Sequence, residues 1–277
     1  MTTSDTPAPT SAQKRTVLVT GASAGIGHAT AELLAAQGWT VVGASRRGTG
    51  GSGWTGTTID VDSDESVESG IAALLVDHAR VDAVVVAAGW GLAGPVETTS
   101  IDEAKAQVET NFWGAVRTVS ALLPHFRAQK AGRIILVSSI GGLIAIPFQA
   151  YYTASKFAME GWAEALAYEV APFNIDVTLI EPGNFKTDFT ASRRNVATPA
   201  GEYADALAYA IDMMERDEQN GADPADVAKL INAQLDAKRP RRRVSVGKSG
   251  ERIGLVAKRV LPHKLFEMAA KDALGVK

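Results

Sequence analysis

Short runs rich in β-branched and apolar residues recur along the chain at 16–20 (TVLVT), 39–44 (WTVVGA), 57–61 (TTIDV), 81–87 (VDAVVVA), 133–138 (RIILVS) and 175–181 (IDVTLIE). Such runs are the pattern of strands buried on both faces. Between them, 25–37, 64–78, 103–129 and 151–171 have the length and amphipathic spacing of helices, and Gly38 stands where a C-cap ends the first. Strands alternating with helices predict an α/β fold, a single-domain doubly wound parallel sheet with helices on both faces. After Pro182 the pattern changes. A stretch at 200–236 rich in Ala, Met and acids predicts one or two helices behind a loop; KRPRRR (238–243), a short VSVG strand and an amphipathic helical region interrupted by Pro262 follow.

Composition narrows the class. A chain of 277 residues that is 46% hydrophobic supports one large core. With 28 Lys and Arg against 31 Asp and Glu it carries no overall electrostatic footprint for nucleic acid. The absence of cysteine excludes disulfides, thiolate metal ligands and a cysteine nucleophile, agrees with a reducing compartment, and leaves no expected metal site. Residues 1–15 are polar and rich in Pro, Thr and Ser, which predicts a flexible tail without a signal sequence. The longest apolar segment, 134–148, is broken by Ser, Gly and Pro, so the expectation is a cytoplasmic protein without membrane or nucleic-acid partners. KRPRRR and ERIGLVAKRVLPHKLF raise a surface patch for membrane or nucleic acid. The overall charge balance and Pro262 favour instead a solvated loop followed by a helix packed on the body or on a second subunit.

The first strand runs directly into a glycine loop, with Gly21, Ser23, Gly25, Ile26 and Gly27 leading into the first helix. The spacing GxxxGxG differs from the commonest dinucleotide fingerprint, but the physics is shared. Glycines admit backbone torsions closed to other residues and let a pyrophosphate approach the main chain, while the helix start offers unpaired N–H groups. Ser23 is placed to orient the phosphate end. The alternative is a tight turn that binds nothing. At the end of the second strand, where an acid usually accepts from the ribose of NAD, stand Ser45, Arg46 and Arg47. Arginine beside the ribose suits a 2′-phosphate, so NADP(H) is the expected cofactor.

Tyr152 and Lys156 are four residues apart on one helical face. A nearby ammonium stabilises a phenolate, which predicts a lowered tyrosine pKa suited to acid/base work. Ser139 ends a predicted parallel strand, where α/β sheets open their ligand crevices, and Asn111 adds a polar group in the preceding helix.

In this order and spacing, the glycine loop, Asp60-Val61, Asn111, Ser139, Tyr152-x-x-x-Lys156 and Pro182-Gly-Asn-Phe-Lys-Thr187 resemble the short-chain dehydrogenase/reductase family over roughly 16–187. The downstream pattern is most similar to its hydroxysteroid and retinol dehydrogenase branch. The resemblance implies a Rossmann-type fold, with 16–190 as the dinucleotide-binding and catalytic core and 191–277 as a helical, substrate-binding extension of the same domain. It implies Tyr152 as general acid/base, Ser139 on the same substrate oxygen, Lys156 on the nicotinamide ribose and lowering the tyrosine pKa, and Asn111 ordering a water. Asp60 and Val61 match adenine contacts; Gly89, Pro182, Gly183 and Thr187 match positions around the cofactor. It further implies a homodimer or homotetramer formed through the two long helices. One departure stands out: where the family carries NNAG, this chain has Val86-Ala87-Ala88-Gly89, without two amides that would stabilise the central sheet or contact the cofactor. The expected activity is interconversion of a carbonyl and a secondary alcohol on an apolar substrate lined by 90–96, 140–151, Phe185 and the helical segment after 190. A cofactor-binding regulatory protein, or an epimerase or dehydratase using bound cofactor, are the alternatives.

Overall fold

The computed structural model describes residues 14–273. The expected flexible tail therefore lies outside the described residues except for Lys14 and Arg15, as do the last four residues of the C-terminal extension. Arg15 is fixed: its guanidinium lies 4.0 Å over the Trp39 ring and 2.6 Å from Asp236.

One sheet organises the molecule. Its strands are β1 (Thr16–Thr20), β2 (Thr40–Ser45), β3 (Thr55–Thr58), β4 (Ala83–Val86), β5 (Gly132–Val137), β6 (Ile175–Pro182) and β7 (Arg243–Val246). They are all parallel, in the order β3-β2-β1-β4-β5-β6-β7. The chain winds outward from β1 in one direction and from β4 in the other, so a crevice opens at the carboxyl ends of these two neighbours. Because both faces are covered, successive β1 residues enter different cores: Leu18 packs with Val84, Leu136, Phe126 and Met159, while Val17 and Val19 pack with Leu34, Ile135, Val227 and Ile231. This is why the strand runs carry so few polar positions.

The helices are α1 (Gly25–Ala36), α2 (Asp64–Asp77), α3 (Ile101–Val108), α4 (Gly114–Gln129), α5 (Ala150–Val170), α6 (Ala204–Gln219), α7 (Pro224–Asp236), α8 (Ser249–Val260) and α9 (His263–Ala273). Ser63 caps α2 by accepting from the Ser66 N–H, Asp223 caps α7 through the Ala225 N–H, and Ser100 with Glu103 forms a capping box on α3. That box starts the helix at Ile101, two residues before the expected 103.

Two further differences bear on the site. The expected strand at 57–61 leaves the sheet after Thr58, so Ile59–Val61 turn towards the crevice, the Ile59 N–H bonding the Ser45 carbonyl at 3.2 Å. The expected single helix to residue 129 is interrupted by a π-helical turn, Glu109–Trp113, which separates α3 from α4. A Leu92–Ala93 segment also pairs in parallel with Arg194–Asn195, a two-residue ladder that short polar sequence does not announce.

Phe126 is fully buried and closes against Gly132, where even a Cβ would meet its ring. Phe126→Ala is expected to lower unfolding stability by about 3–5 kcal/mol, through lost burial and the cavity left behind. Urea titration at unchanged m-value measures it.

Candidate active site

The end of β1 shapes the first wall of the crevice. Gly21 has φ +70°, and a Cβ there would stand 2.8 Å from the backbone of Ala87 and Ala88. No other residue lets the two strand ends close to this distance. Thr20 completes the junction, its Oγ1 accepting the N–H groups of Ala87 and Ala88 at 3.2 and 3.3 Å. The missing family amides therefore leave no gap in hydrogen bonding at these two groups. Gly25, at φ +54°, opens towards Thr187 across the cavity. Above it α1 begins from an extended Ala24 without a side-chain cap and without an acid in its first turn, unlike α2, α3 and α7. Its first N–H groups and the positive end of its dipole are left for whatever enters the crevice.

The crevice is a cavity of about 1220 Å³. It runs from Gly21, Ser23, Gly25, Ile26 and Gly27 past Ser45, Arg46, Arg47 and Asp60–Asp62 to Gly89, Ser139, Tyr152 and Lys156, and on to Pro182, Gly183 and Thr187. Of the catalytic and cofactor residues singled out in the sequence only Asn111 is not on its wall; it lies directly behind. Of the expected substrate lining at 90–96 only Trp90 reaches the cavity, because Leu92 and Ala93 are buried in the ladder with Arg194–Asn195. Ser45 and the two arginines stand together at the carboxyl end of β2: Ser45 Oγ accepts the Gly48 N–H at 3.2 Å, and Arg47 reaches back to the Ser23 carbonyl at 3.5 Å. Asp60 accepts the Asp62 N–H at 3.2 Å, and Asp62 accepts from Thr110 at 2.9 Å.

The π turn carries Asn111 inward. Completely buried, it accepts the Trp90 N–H at 3.0 Å through Oδ1, and its amide nitrogen donates to the Trp90 carbonyl at 3.0 Å and to Ser155 Oγ at 3.2 Å. Three of its four hydrogen-bonding positions are thus occupied by the protein. Ser139 leaves β5 in extended conformation; its Oγ accepts the Gly141 N–H at 3.0 Å and donates at 3.4 Å to the Pro182 carbonyl. Tyr152 lies on the first turn of α5, its ring 5.7 Å from that of Phe189. One turn on, Lys156 donates to the Val137 carbonyl at 2.9 Å, and its Nζ is 5.9 Å from the Tyr152 ring centre.

Burial dominates the electrostatics here, and it corrects the expected lowering of the tyrosine pKa. Desolvation pushes the Tyr152 phenol up to about 12; Ser139 works against this, Glu218 adds to it and Arg193 opposes it. Desolvation likewise pulls Lys156 down to about 8, against the attraction of Glu160. Lys156 is not among the groups that move the tyrosine; its ammonium, 5.9 Å from the Tyr152 ring centre, donates to the Val137 carbonyl.

Several residues that build this site were not anticipated. Gln107, fully buried, donates to the Trp90 carbonyl at 2.8 Å and accepts from the Leu92 N–H. Glu251 on α8 accepts from the N–H groups of Asn184 and Lys248, each at 2.8 Å, bracing the Pro182–Thr187 loop. A buried Arg193–Glu218 ion pair, shared with Thr190, ties the one-turn helix Phe189–Ser192 to α6. The substrate end is also less uniformly apolar than expected. Ile140, Ile144, Ile146, Phe185, Phe189 and Met214 line it together with Arg194, Asp217 and Glu218. None of these partners shows in local sequence, since each joins segments far apart along the chain.

The family model described as short chain dehydrogenase matches residues 15–197. The 3-ketodihydrosphingosine reductase of Bacteroides thetaiotaomicron is 37% identical over 263 residues, 94% of this chain and 97% of the relative. Retinol dehydrogenase 8 of Bos taurus is 38% identical over 250 residues, 82% of this chain and 79% of the relative. Among solved structures, a short-chain dehydrogenase from Streptomyces avermitilis superposes with a TM-score of 0.83 at 29% identity, covering 97% of this chain and 100% of that one.

The buried lysine sets a stability signature. Folded, it sheds its proton near 8; unfolded, near 10.5. Between these values the unfolded state binds more protons, so stability rises with pH across the window, by up to about 3 kcal/mol. Urea unfolding at a series of pH values is expected to show this rise in the native protein and to lose it in Lys156→Met.

Proposed function

The chain belongs to the short-chain dehydrogenase/reductase family of oxidoreductases, and from that premise we propose that it is an NADP(H)-dependent enzyme interconverting a carbonyl and a secondary alcohol on an apolar substrate. One observation carries this reading: a single cavity joins a glycine cradle under an uncapped helix start to the Ser139, Tyr152 and Lys156 side chains. The cradle fits a dinucleotide, because Gly21 brings the strand ends together and Gly25 keeps the approach to the helix open. Gly21, Ser23, Gly25, Ile26 and Gly27 would hold the pyrophosphate, Asp60 and Val61 the adenine, and Gly89, Pro182, Gly183 and Thr187 the nicotinamide half. When bound, the nicotinamide supplies or accepts the hydride.

Proton management falls to the side chains. A phenol held near 12 keeps its proton throughout the neutral range, the form that donates to a carbonyl oxygen. Ser139 has only a long 3.4 Å bond to the Pro182 carbonyl as donor, and that hydrogen is the one most readily turned to the same oxygen. Val137 occupies one of the three Lys156 donors; the other two remain for the ribose and for the charge that develops on the phenolate. Asn111 holds the walls in place, with one Oδ1 lone pair left for a water in the proton path.

NADP(H) in place of NAD(H) rests on the end of β2. Ser45 stands where an acid would repel a phosphate, and Arg46 and Arg47 flank the cavity there. The apolar wall of the substrate end, and relatives named for a ketodihydrosphingosine and for retinol, support an apolar ketone or alcohol. Trp113, Phe157 and Tyr168, exposed on and beside the two long helices, support self-association there.

Tyr152→Phe is expected to lower kcat about 10²–10⁴-fold while leaving the affinity for NADPH unchanged, measured by turnover of a ketone panel and by fluorescence titration. Native turnover by this variant overturns the acid/base assignment. Arg46→Ala combined with Arg47→Ala is expected to weaken NADPH binding by roughly tenfold or more and NADH binding little, as two charge-assisted hydrogen bonds are lost.

A further inference from the structure

The two terminal helices are apolar on two sides, and the cavity explains only one. On α8, Leu255 is buried and Gly254 and Ala257 face the cavity. The helix is pinned at both ends, by Glu251 to the Asn184 amide and by Lys258 to the Leu143 carbonyl. Its side away from the cavity presents Val256 and Val260, 59% and 70% exposed, with Ile253, 66% exposed, at the rim where this stripe meets the cavity wall. The following helix, α9, extends the patch with Leu265 and Met268, 52% and 68% exposed. The sequence expectation is that this segment packs on the body or on a second subunit; the body accounts for one face and leaves this one without a partner among the described residues.

The charges beside the stripe say what it fits. In helical projection Arg252 and Arg259 border it along one edge, and Lys264 stands at the start of α9; all three are exposed. Between 248 and 268 there are five Lys and Arg against two Glu. Of these two, Glu251 is engaged by backbone amides and Glu267 lies 3.4 Å from His263. A self-complementary two-fold contact would find few acids on this face, five cations standing against two Glu of which one is held by backbone amides. An anionic lipid surface answers both features, taking apolar side chains below the headgroups and cations among the phosphates. Among the described residues no helix is long and apolar enough to cross a membrane, so a bilayer would meet this face at its surface.

We propose that α8 and α9 form a docking face for anionic lipid bilayers. Because Gly254, Ala257, Phe266 and Ala270 of the same helices line the cavity, docking would set its wall against the membrane and pass an apolar substrate from lipid to the site; this last consequence rests on the reaction proposed above.

The test is co-sedimentation of the full chain with vesicles of phosphatidylcholine alone and of equimolar phosphatidylcholine and phosphatidylglycerol. Binding to the mixed vesicles only, weakened by salt, is expected. The variant Arg252→Ala/Arg259→Ala/Lys264→Ala should bind about a hundredfold more weakly, and Val256→Ser/Val260→Ser/Leu265→Ser/Met268→Ser should lose binding, while both retain native NADPH binding and native turnover of a short, water-soluble ketone. Turnover of a long-chain ketone carried in the mixed vesicles should fall with binding. No vesicle binding by the native chain overturns the proposal, as does a native oligomer that the serine variant converts to monomer, which would make the face a protein interface. Vesicle binding is read without any turnover, so failure of the proposed reaction leaves this test standing.

Discussion

The buried amide of Asn111 is the contact on which the rest of the site depends. One side chain grips both backbone groups of Trp90, in the loop after β4, and the hydroxyl of Ser155, which sits on α5 between Tyr152 and Lys156. It thereby fixes the carboxyl end of the central strand β4 against the helix that carries Tyr152 and Lys156. A regular α-helix through 101–129 would rotate position 111 relative to its neighbours; the π turn at Glu109–Trp113 makes room for the inward amide. Gly89 is shaped by the same contact, since a Cβ there would lie 3.0 Å from Asn111 Oδ1 and 3.8 Å from Lys156 Nζ. The three elements meet so closely that little besides backbone fits between them.

That closeness sets the electrostatics. Tyr152 and Lys156 are each buried, and burial moves both towards their neutral forms, the phenol up to about 12 and the ammonium down to about 8. Glu160, one turn further along α5, pulls the other way on the lysine and helps it remain charged at neutral pH. A dry pair of this kind keeps a transferable proton on oxygen and a cation next to the place where negative charge would form. In water the same two groups would be screened and solvated, and their mutual effect would be small.

How much of this was legible in the sequence follows from the range of each interaction. The strands showed because a parallel sheet buried on both faces demands apolar runs, and the helix starts showed where Ser63, Ser100 and Asp223 supply local caps. The glycine loop showed because backbone torsion is a property of the residue itself, and the tyrosine and lysine because four residues make one helical turn. Long-range partners left no such trace. Thr20 is one threonine in an apolar strand until its hydroxyl is seen to hold two amides from β4, and that is also why the departure at Ala87 and Ala88 costs no hydrogen bond there. Glu251, Gln107 and the Arg193–Glu218 pair are ordinary polar residues until the fold brings in segments from far along the chain. The lowered tyrosine pKa failed for a related reason: spacing predicts proximity to the ammonium, while burial, which outweighs it, is a property of the whole packing.

The two ends of the cavity are built in different ways, and the difference bears on what each can recognise. At the nucleotide end the surface is largely main chain, with glycines, a helix start and strand termini held by the central sheet; backbone groups bind phosphate irrespective of neighbouring side chains. At the other end the surface is side chain, contributed by the segment after β5, the loop after β6, α6 and the two terminal helices, and anchored by single contacts such as Glu251 to Asn184 and Arg193 to Glu218. Most of this lining comes from residues after Pro182, away from the sheet, so it can change in shape and polarity while the strand ends and the α5 residues Tyr152 and Lys156 keep their arrangement.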